Sequence, residues 1–184
     1  MAFTKADIEF AQAVQSKYGV PASVTLAAYQ LESGGGTSYL ARNNNNYFGI
    51  TGTGTAGYSQ GSHKWAKYNN KEESFDAFGK LLSSERYAKL TAGKTSVEDY
   101  VRAYAETYAP SSDGNSGYAD KMIDIINSYN LKQYDSGITG SMAEVQQTGS
   151  NAHPILSKFA LFITLLLILL FGAFAIYKTF QVGS

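Results

Sequence analysis

The sequence predicts an α+β chain that is mostly α: a helical body with a small β-hairpin lobe, followed by one C-terminal transmembrane helix. Three observations carry this. Apolar residues recur at helical spacing, with capping residues between the runs, as far as residue 131. Between residues 47 and 68 the pattern changes to Gly/Thr turns and short alternating stretches. Residues 159–177 then run for 19 positions without a charge.

Each element has its own signal. Thr4 can cap a helix that places Ile8, Ala11, Val14 and Tyr18 on one face and stops at Gly19. Pro21 suits the first turn of a second helix, where a missing N–H costs nothing, and Gly34 can take the left-handed conformation that ends it. A short helix is expected around 37–42. Asn69 or Asn70 opens the next, with Glu72 and Glu73 in its first turn and Phe75, Phe78, Leu81 and Leu82 inward. Ser96 and Asp99 have capping-box spacing ahead of Val97, Tyr100, Val101 and Tyr104. A last helix carries Met122, Ile125, Ile126 and Tyr129 and stops near Asn130. Inside the lobe, His63–Tyr68 alternates as a hairpin strand does.

The boundaries that follow are 1–131 for the folded domain, 132–154 for a flexible linker rich in Ser, Gly, Thr and Gln, 155–178 for the transmembrane helix and 179–184 for a short tail. A 19-residue helix at about 1.5 Å per residue nearly matches a hydrocarbon core of about 30 Å. Lys158 and Lys178 bracket the run and give no orientation. Residues 1–20 hold no apolar signal-peptide core. The lipid bilayer is therefore an expected partner through residues 155–178.

Composition removes several functions. Residues 1–131 carry 12 Lys/Arg and 13 Asp/Glu, 12 − 13 = −1, so no basic face for nucleic acid is expected. There is no Cys, and the two histidines, His63 and His153, are 90 positions apart. Neither a metal site of nitrogen and sulfur ligands nor a cofactor is expected.

Glu32 is the residue with chemistry. It closes a helix whose Val24, Leu26, Ala27, Ala28 and Leu31 offer little to solvate a charge, and it sits in the last turn, at the negative end of the dipole. Both conditions favour the protonated form, which is what a general acid needs near neutral pH.

Further motifs follow in order: Glu32-Ser-Gly-Gly-Gly-Thr-Ser38, Asn45-Asn-Tyr-Phe-Gly-Ile50, Trp65-Ala-Lys-Tyr68, Glu73-Ser-Phe75, Arg86-Tyr87, and Tyr108-Ala-Pro110 through Tyr118-Ala-Asp-Lys121. Across residues 5–131 this series resembles the endo-β-N-acetylglucosaminidases of glycoside hydrolase family 73, the flagellar muramidase-like and autolysin-like group. The resemblance implies a lysozyme-like fold with a cleft between body and lobe. It also implies cleavage of the GlcNAc–MurNAc β-1,4 bond of peptidoglycan, with Glu32 as proton donor. A functional tyrosine before the last helix is implied too, matched best by Tyr118 and next by Tyr108.

One departure matters. Family members commonly carry a second carboxylate in the lobe, whereas residues 34–71 contain no Asp or Glu. Asp113, beside Tyr118, is one candidate replacement. His63 fits an exposed turn better than a base. Single-acid chemistry, in which the substrate's 2-acetamido oxygen attacks its own anomeric carbon, is another route, and favoured over a hidden acid. A lytic transglycosylase is a third, and a module that grips glycan without cutting it a fourth. Trp65, Tyr68, Tyr47 and Phe48 are candidates for sugar-stacking walls, with Phe48 better suited to the core. Asn45 and Asn46 are expected to hold their turn first and line the substrate path second. The expected setting is a lytic enzyme in the internal membrane of a lipid-containing bacteriophage, with virion proteins as neighbours. A bacterial envelope enzyme is the alternative.

Overall fold

The computed structural model describes residues 3–60 and 63–136. Helix α1 (Lys5–Tyr18) begins with a complete capping box. Asp7 N–H donates to Thr4 Oγ1 at 3.2 Å and Thr4 N–H to Asp7 Oδ2 at 3.0 Å. It ends at Gly19, whose positive φ of 72° is cheap only for glycine. Helix α2 (Ala22–Ser33) is the spine of the molecule. Val24, Leu26, Ala27 and Ala28 are fully buried, and the helix packs on α1 and on the C-terminal elements. Small residues at Ala22, Ala27 and Ala28 let neighbours close in around the helix. Gly34 ends it in the left-handed region, at φ 58°.

After a short helix α3 (Tyr39–Asn44), capped by Ser38, the chain forms the lobe. Strands β1 (Tyr58–Ser59) and β2 (Trp65–Ala66) pair antiparallel, Tyr58 with Ala66 and Ser59 with Trp65. The strands are shorter than the alternation over 63–68 suggests. Most of the lobe is instead held by turns and isolated bridges, such as Thr51 to Trp65.

Helix α4 (Lys71–Leu82) opens on Asn70, whose side chain accepts from Glu73 N–H at 2.9 Å. Phe75, Phe78 and Leu82 are buried, and Leu81 packs at the core's edge. A Cβ on Gly79 would lie 2.5 Å from Tyr18 Cδ2 and 2.8 Å from Val14 Cγ1, so glycine sets how closely α1 and α4 approach. Gly79→Ala gains helix propensity of about 1 kcal/mol but overpacks by about 1–3 kcal/mol. A net loss of up to about 2 kcal/mol is expected in denaturant melts; a midpoint raised above wild type would show that the helices can part freely.

Helix α5 (Glu85–Thr91) has no counterpart in the sequence expectations. Helix α6 (Val97–Tyr108) starts at Ser96, which accepts from Asp99 N–H at 3.0 Å. Helix α7 (Tyr118–Ser128) buries Met122 and Ile126, and Asn130 turns the chain at φ 50°.

The domain's end differs from expectation. A 3-10 turn over Leu131–Tyr134 follows, with Leu131 fully buried. Asp135 accepts from Ser23 N–H and from the Ser23 hydroxyl, both at 2.7 Å, and Gln15 Nε2 donates to Ser136 O at 2.8 Å. Residues 132–136, assigned to the linker on polarity, are thus fastened to the body. Among the described residues no helix is long and apolar enough to cross a membrane. The apolar segment 155–178 lies outside the described residues.

Candidate active site

Glu32 is half-buried in the last turn of α2. Burial raises its carboxyl above the ordinary glutamate range, opposed by one hydrogen bond from Tyr118. That bond, Tyr118 hydroxyl to Glu32 Oε1, is 2.8 Å long. The other oxygen, Oε2, points towards Gly49, where an added Cβ would stand 3.8 Å away. Gly49 has φ 63° and ends the turn leading into the lobe. The carboxyl therefore spans the junction: Oε1 is engaged by the body, and Oε2 faces the lobe. When Glu32 is protonated, the donor on Oε1 favours placing the proton on Oε2.

Tyr118 occupies the first position of α7 and is buried. Burial, with nearby Tyr104, Tyr108 and Glu32, pushes its hydroxyl far above the ordinary range, so it acts as a donor and stays protonated. Tyr108 lies behind it, the ring centroids 5.8 Å apart, and donates to Phe48 O at 2.7 Å. Tyr108 thus fixes the turn before Gly49, its hydroxyl spent on Phe48 O and not on Glu32. Asp113 is exposed in a 3-10 turn, Ser111–Asp113, and its carboxylate accepts from the Ser112 hydroxyl at 3.2 Å. It makes no hydrogen bond to Glu32, whose partner is Tyr118.

The asparagine run is structural in a way that sequence only partly showed. Asn44 Nδ2 donates to Ser59 Oγ at 2.9 Å, and Asn45 Nδ2 to Tyr68 O at 3.0 Å. Asn46, almost fully buried, donates to Ile50 O at 2.8 Å and Ala66 O at 3.0 Å and accepts from Ile50 N–H at 3.0 Å. Asn45 also adopts φ 49°, which asparagine tolerates better than most residues. These side chains serve as the lobe's framework.

Phe48 is 1% exposed and stacked on Phe78, with centroids 4.4 Å apart. Its ring is committed to the core and cannot stack on a sugar. Tyr68 is also buried. Tyr47 and Trp65 are the two of the four aromatic candidates that keep partly exposed rings. His63 is exposed, its ring centroid 5.3 Å from that of Trp65.

A brace beneath Tyr47 was not anticipated. Lys71 Nζ lies 2.8 Å from Asp7 Oδ1 and 3.2 Å from the Tyr29 hydroxyl, and 5.1 Å from the ring centroids of Tyr29 and Tyr47. A cation in the first turn of α4 opposes the helix dipole, and buried Asp7 offsets it. Burial tends to raise the Asp7 carboxyl, but its bonds to Lys71 and Thr4 prevail and hold it low. A lysine where acidic residues are favoured was the available signal.

A helical body, a small two-stranded lobe and one half-buried carboxylic acid at their junction define a lysozyme-like fold. The chain belongs to the glucosaminidase family (mannosyl-glycoprotein endo-β-N-acetylglucosaminidase), whose family model matches residues 8–131. It is 30% identical over 144 residues to the exo-glucosaminidase LytG of Bacillus subtilis, covering 68% of this chain and 50% of that protein. The chain thus spans about half the length of that relative. Among solved structures, it resembles the catalytic domain of the autolysin Auto from Listeria monocytogenes. The TM-score is 0.59 at 26% identity, over 73% of this chain and 89% of that one. A peptidoglycan hydrolase from Sphingomonas sp. A1 shares the fold, with TM-score 0.55 at 23% identity, over 82% and 98% of the two chains.

Proposed function

We propose that this protein is a peptidoglycan hydrolase of the N-acetylglucosaminidase type that cuts β-1,4 bonds of the glycan strand with Glu32 as general acid. The observation that carries the reading is the asymmetric environment of Glu32: Tyr118 on Oε1, and Oε2 turned to the lobe. The proton on Oε2 passes to the leaving oxygen as the glycosidic bond breaks. The lobe offers no carboxylate, since residues 34–71 lack Asp and Glu and Glu73 is engaged by Thr55 and Asn69. The acetamido oxygen of the GlcNAc unit therefore forms the new bond to the anomeric carbon. Glu32, now ionised, takes a proton from the water that opens the cyclic intermediate and is restored. Tyr47 and Trp65 supply sugar-facing rings.

Membrane attachment through residues 155–178 belongs to the same proposal, supported by their uncharged run between two lysines. A lytic body tethered in this way suits the internal membrane of a bacteriophage that opens the wall locally during entry. Recovery of the protein from purified virions supports that setting, and recovery only from uninfected cells assigns it to a bacterial envelope.

Mass spectrometry of the ends released from purified walls tests the chemistry. Reducing GlcNAc ends are the expected product. Reducing MurNAc ends would move the cut to the other bond, anhydro-MurNAc ends would make the protein a transglycosylase, and no new ends would leave a binding module.

A further inference from the structure

Lys71 stands in the first turn of α4, where the helix dipole disfavours a cation. Its ion pair with buried Asp7 adds little to stability beyond what well-packed apolar residues would add. What the pair provides is a fixed point. Asp7 Oδ1 takes one ammonium proton at 2.8 Å and the Tyr29 hydroxyl a second at 3.2 Å. Both anchors are buried, Asp7 within the capping box of α1 and Tyr29 within α2. The ammonium is thereby set 5.1 Å from the ring centroids of both Tyr29 and Tyr47, within cation–π reach.

Tyr47 is the member of this aromatic pair that keeps a partly exposed ring. Three further features confine it. Its ring lies 5.7 Å from that of Tyr29, tilted by 47°. Its N–H donates to Ser74 Oγ at 3.1 Å, one turn along α4 from Lys71. A Cβ on Gly36 would stand 3.2 Å from Tyr47 Cε1 and 2.9 Å from the Tyr29 hydroxyl, so the loop leaving Glu32 closes against the same two rings. Tyr47 also comes two positions before Gly49, the residue that Glu32 Oε2 faces. A ring already held in place loses little freedom when a flat sugar stacks on it, and the ordering cost avoided appears as affinity.

We propose that Lys71 is a positioning residue: with Asp7 as its anchor, it holds the Tyr47 ring still as a platform for one sugar of the glycan strand. Lys71 makes no bond to Glu32, so it acts on binding through Tyr47 and leaves the proton donor alone. The platform rests on the proposed glycan substrate.

Its test does not depend on turnover. Calorimetry measures binding of a β-1,4-linked N-acetylglucosamine tetramer to the full chain carrying Glu32→Gln, and further changes are added to that parent. Asp7→Asn with Lys71→Met removes both charges, so no buried ion is stranded, and the asparagine keeps an oxygen for Thr4 N–H. Binding is expected to weaken about fivefold. Asp7→Asn alone lets the partly exposed ammonium swing to water and should weaken binding in the same direction. Lys71→Arg keeps a cation between the rings and should stay within about twofold of the parent. In the active chain the loss should fall on KM rather than kcat. Once Tyr47→Ala is present, neither Asp7 variant should weaken binding further. Unaltered affinity in both Asp7 variants overturns the platform. So does a loss that persists without the Tyr47 ring, which would place the effect elsewhere. A parent that does not bind the tetramer removes the proposed glycan substrate and the platform with it, whereas failure of the brace alone leaves binding by the parent intact.

Discussion

Glu32→Gln is expected to reduce wall lysis by about 10²–10⁴-fold while leaving the fold intact. The amide keeps an oxygen for the Tyr118 hydroxyl, so the site's hydrogen bonding survives. The nitrogen in place of Oε2 can donate a hydrogen bond to a glycosidic oxygen but cannot transfer a proton to it. Stability should move the other way. Because burial raises the Glu32 carboxyl, the folded state binds its proton more tightly than the unfolded state. Stability then falls as pH rises from the ordinary glutamate value through the raised one, and stays lower above it. Glutamine does not titrate, so the variant should match wild type in acid and exceed it at neutral pH, the stability–activity conflict of an active site. Turbidity clearing of purified walls, with thermal melts on both sides of the window, checks both parts. A variant that lyses at the wild-type rate would remove Glu32 from the chemistry.

How far the sequence could be read depended on the range of the interactions involved. Local signals were legible: the Thr4 cap, the Gly19 and Gly34 stops, the Asn70 cap and the inward stripe of Phe75, Phe78 and Leu82 all depend on neighbours a few positions away. Helix α5 was not, because Glu85–Thr91 is two turns long and buries only Tyr87 and Thr91, too little for a periodic pattern. At the site, Glu32 could be found from its apolar helix, whereas Tyr118, 86 positions away, was marked only by a family resemblance, and its bond to Glu32 was not foreseen. Gly49 meets Glu32 Oε2 from another element, a proximity that no local rule marks. Phe48 shows the converse: its motif runs beside the substrate path, yet its apolar ring suited the core, and there it stacks on Phe78, leaving its carbonyl to anchor Tyr108.

The end of the domain was misjudged for the same reason, and it carries the second large effect. Pro21 caps α2 without a side-chain bond, leaving the first N–H groups of a buried helix to find partners elsewhere. Gln15 Oε1 takes Ala22 N–H at 3.1 Å, and Asp135, 112 positions along the chain, takes Ser23 N–H and its hydroxyl. Asp135→Ala strands two donors on a fully buried residue and should cost about 2–4 kcal/mol. Asp135→Asn should separate acceptor from charge. Burial raises the Asp135 carboxyl despite the bonds from Ser23 and Ala22, so its charged form is held at a net cost, and its contribution declines as pH rises past the ordinary aspartate range. Asparagine keeps an oxygen for Ser23 N–H without that cost and is expected to be at least as stable as wild type at neutral pH. Denaturant melts of the two variants decide the matter: equal losses would show that charge on the helix N-terminus dominates, and no loss in either would detach residues 132–136 from the stability of the body. Neither change touches Glu32, at the opposite end of α2, so turnover well below the melting temperature should stay near wild type in both.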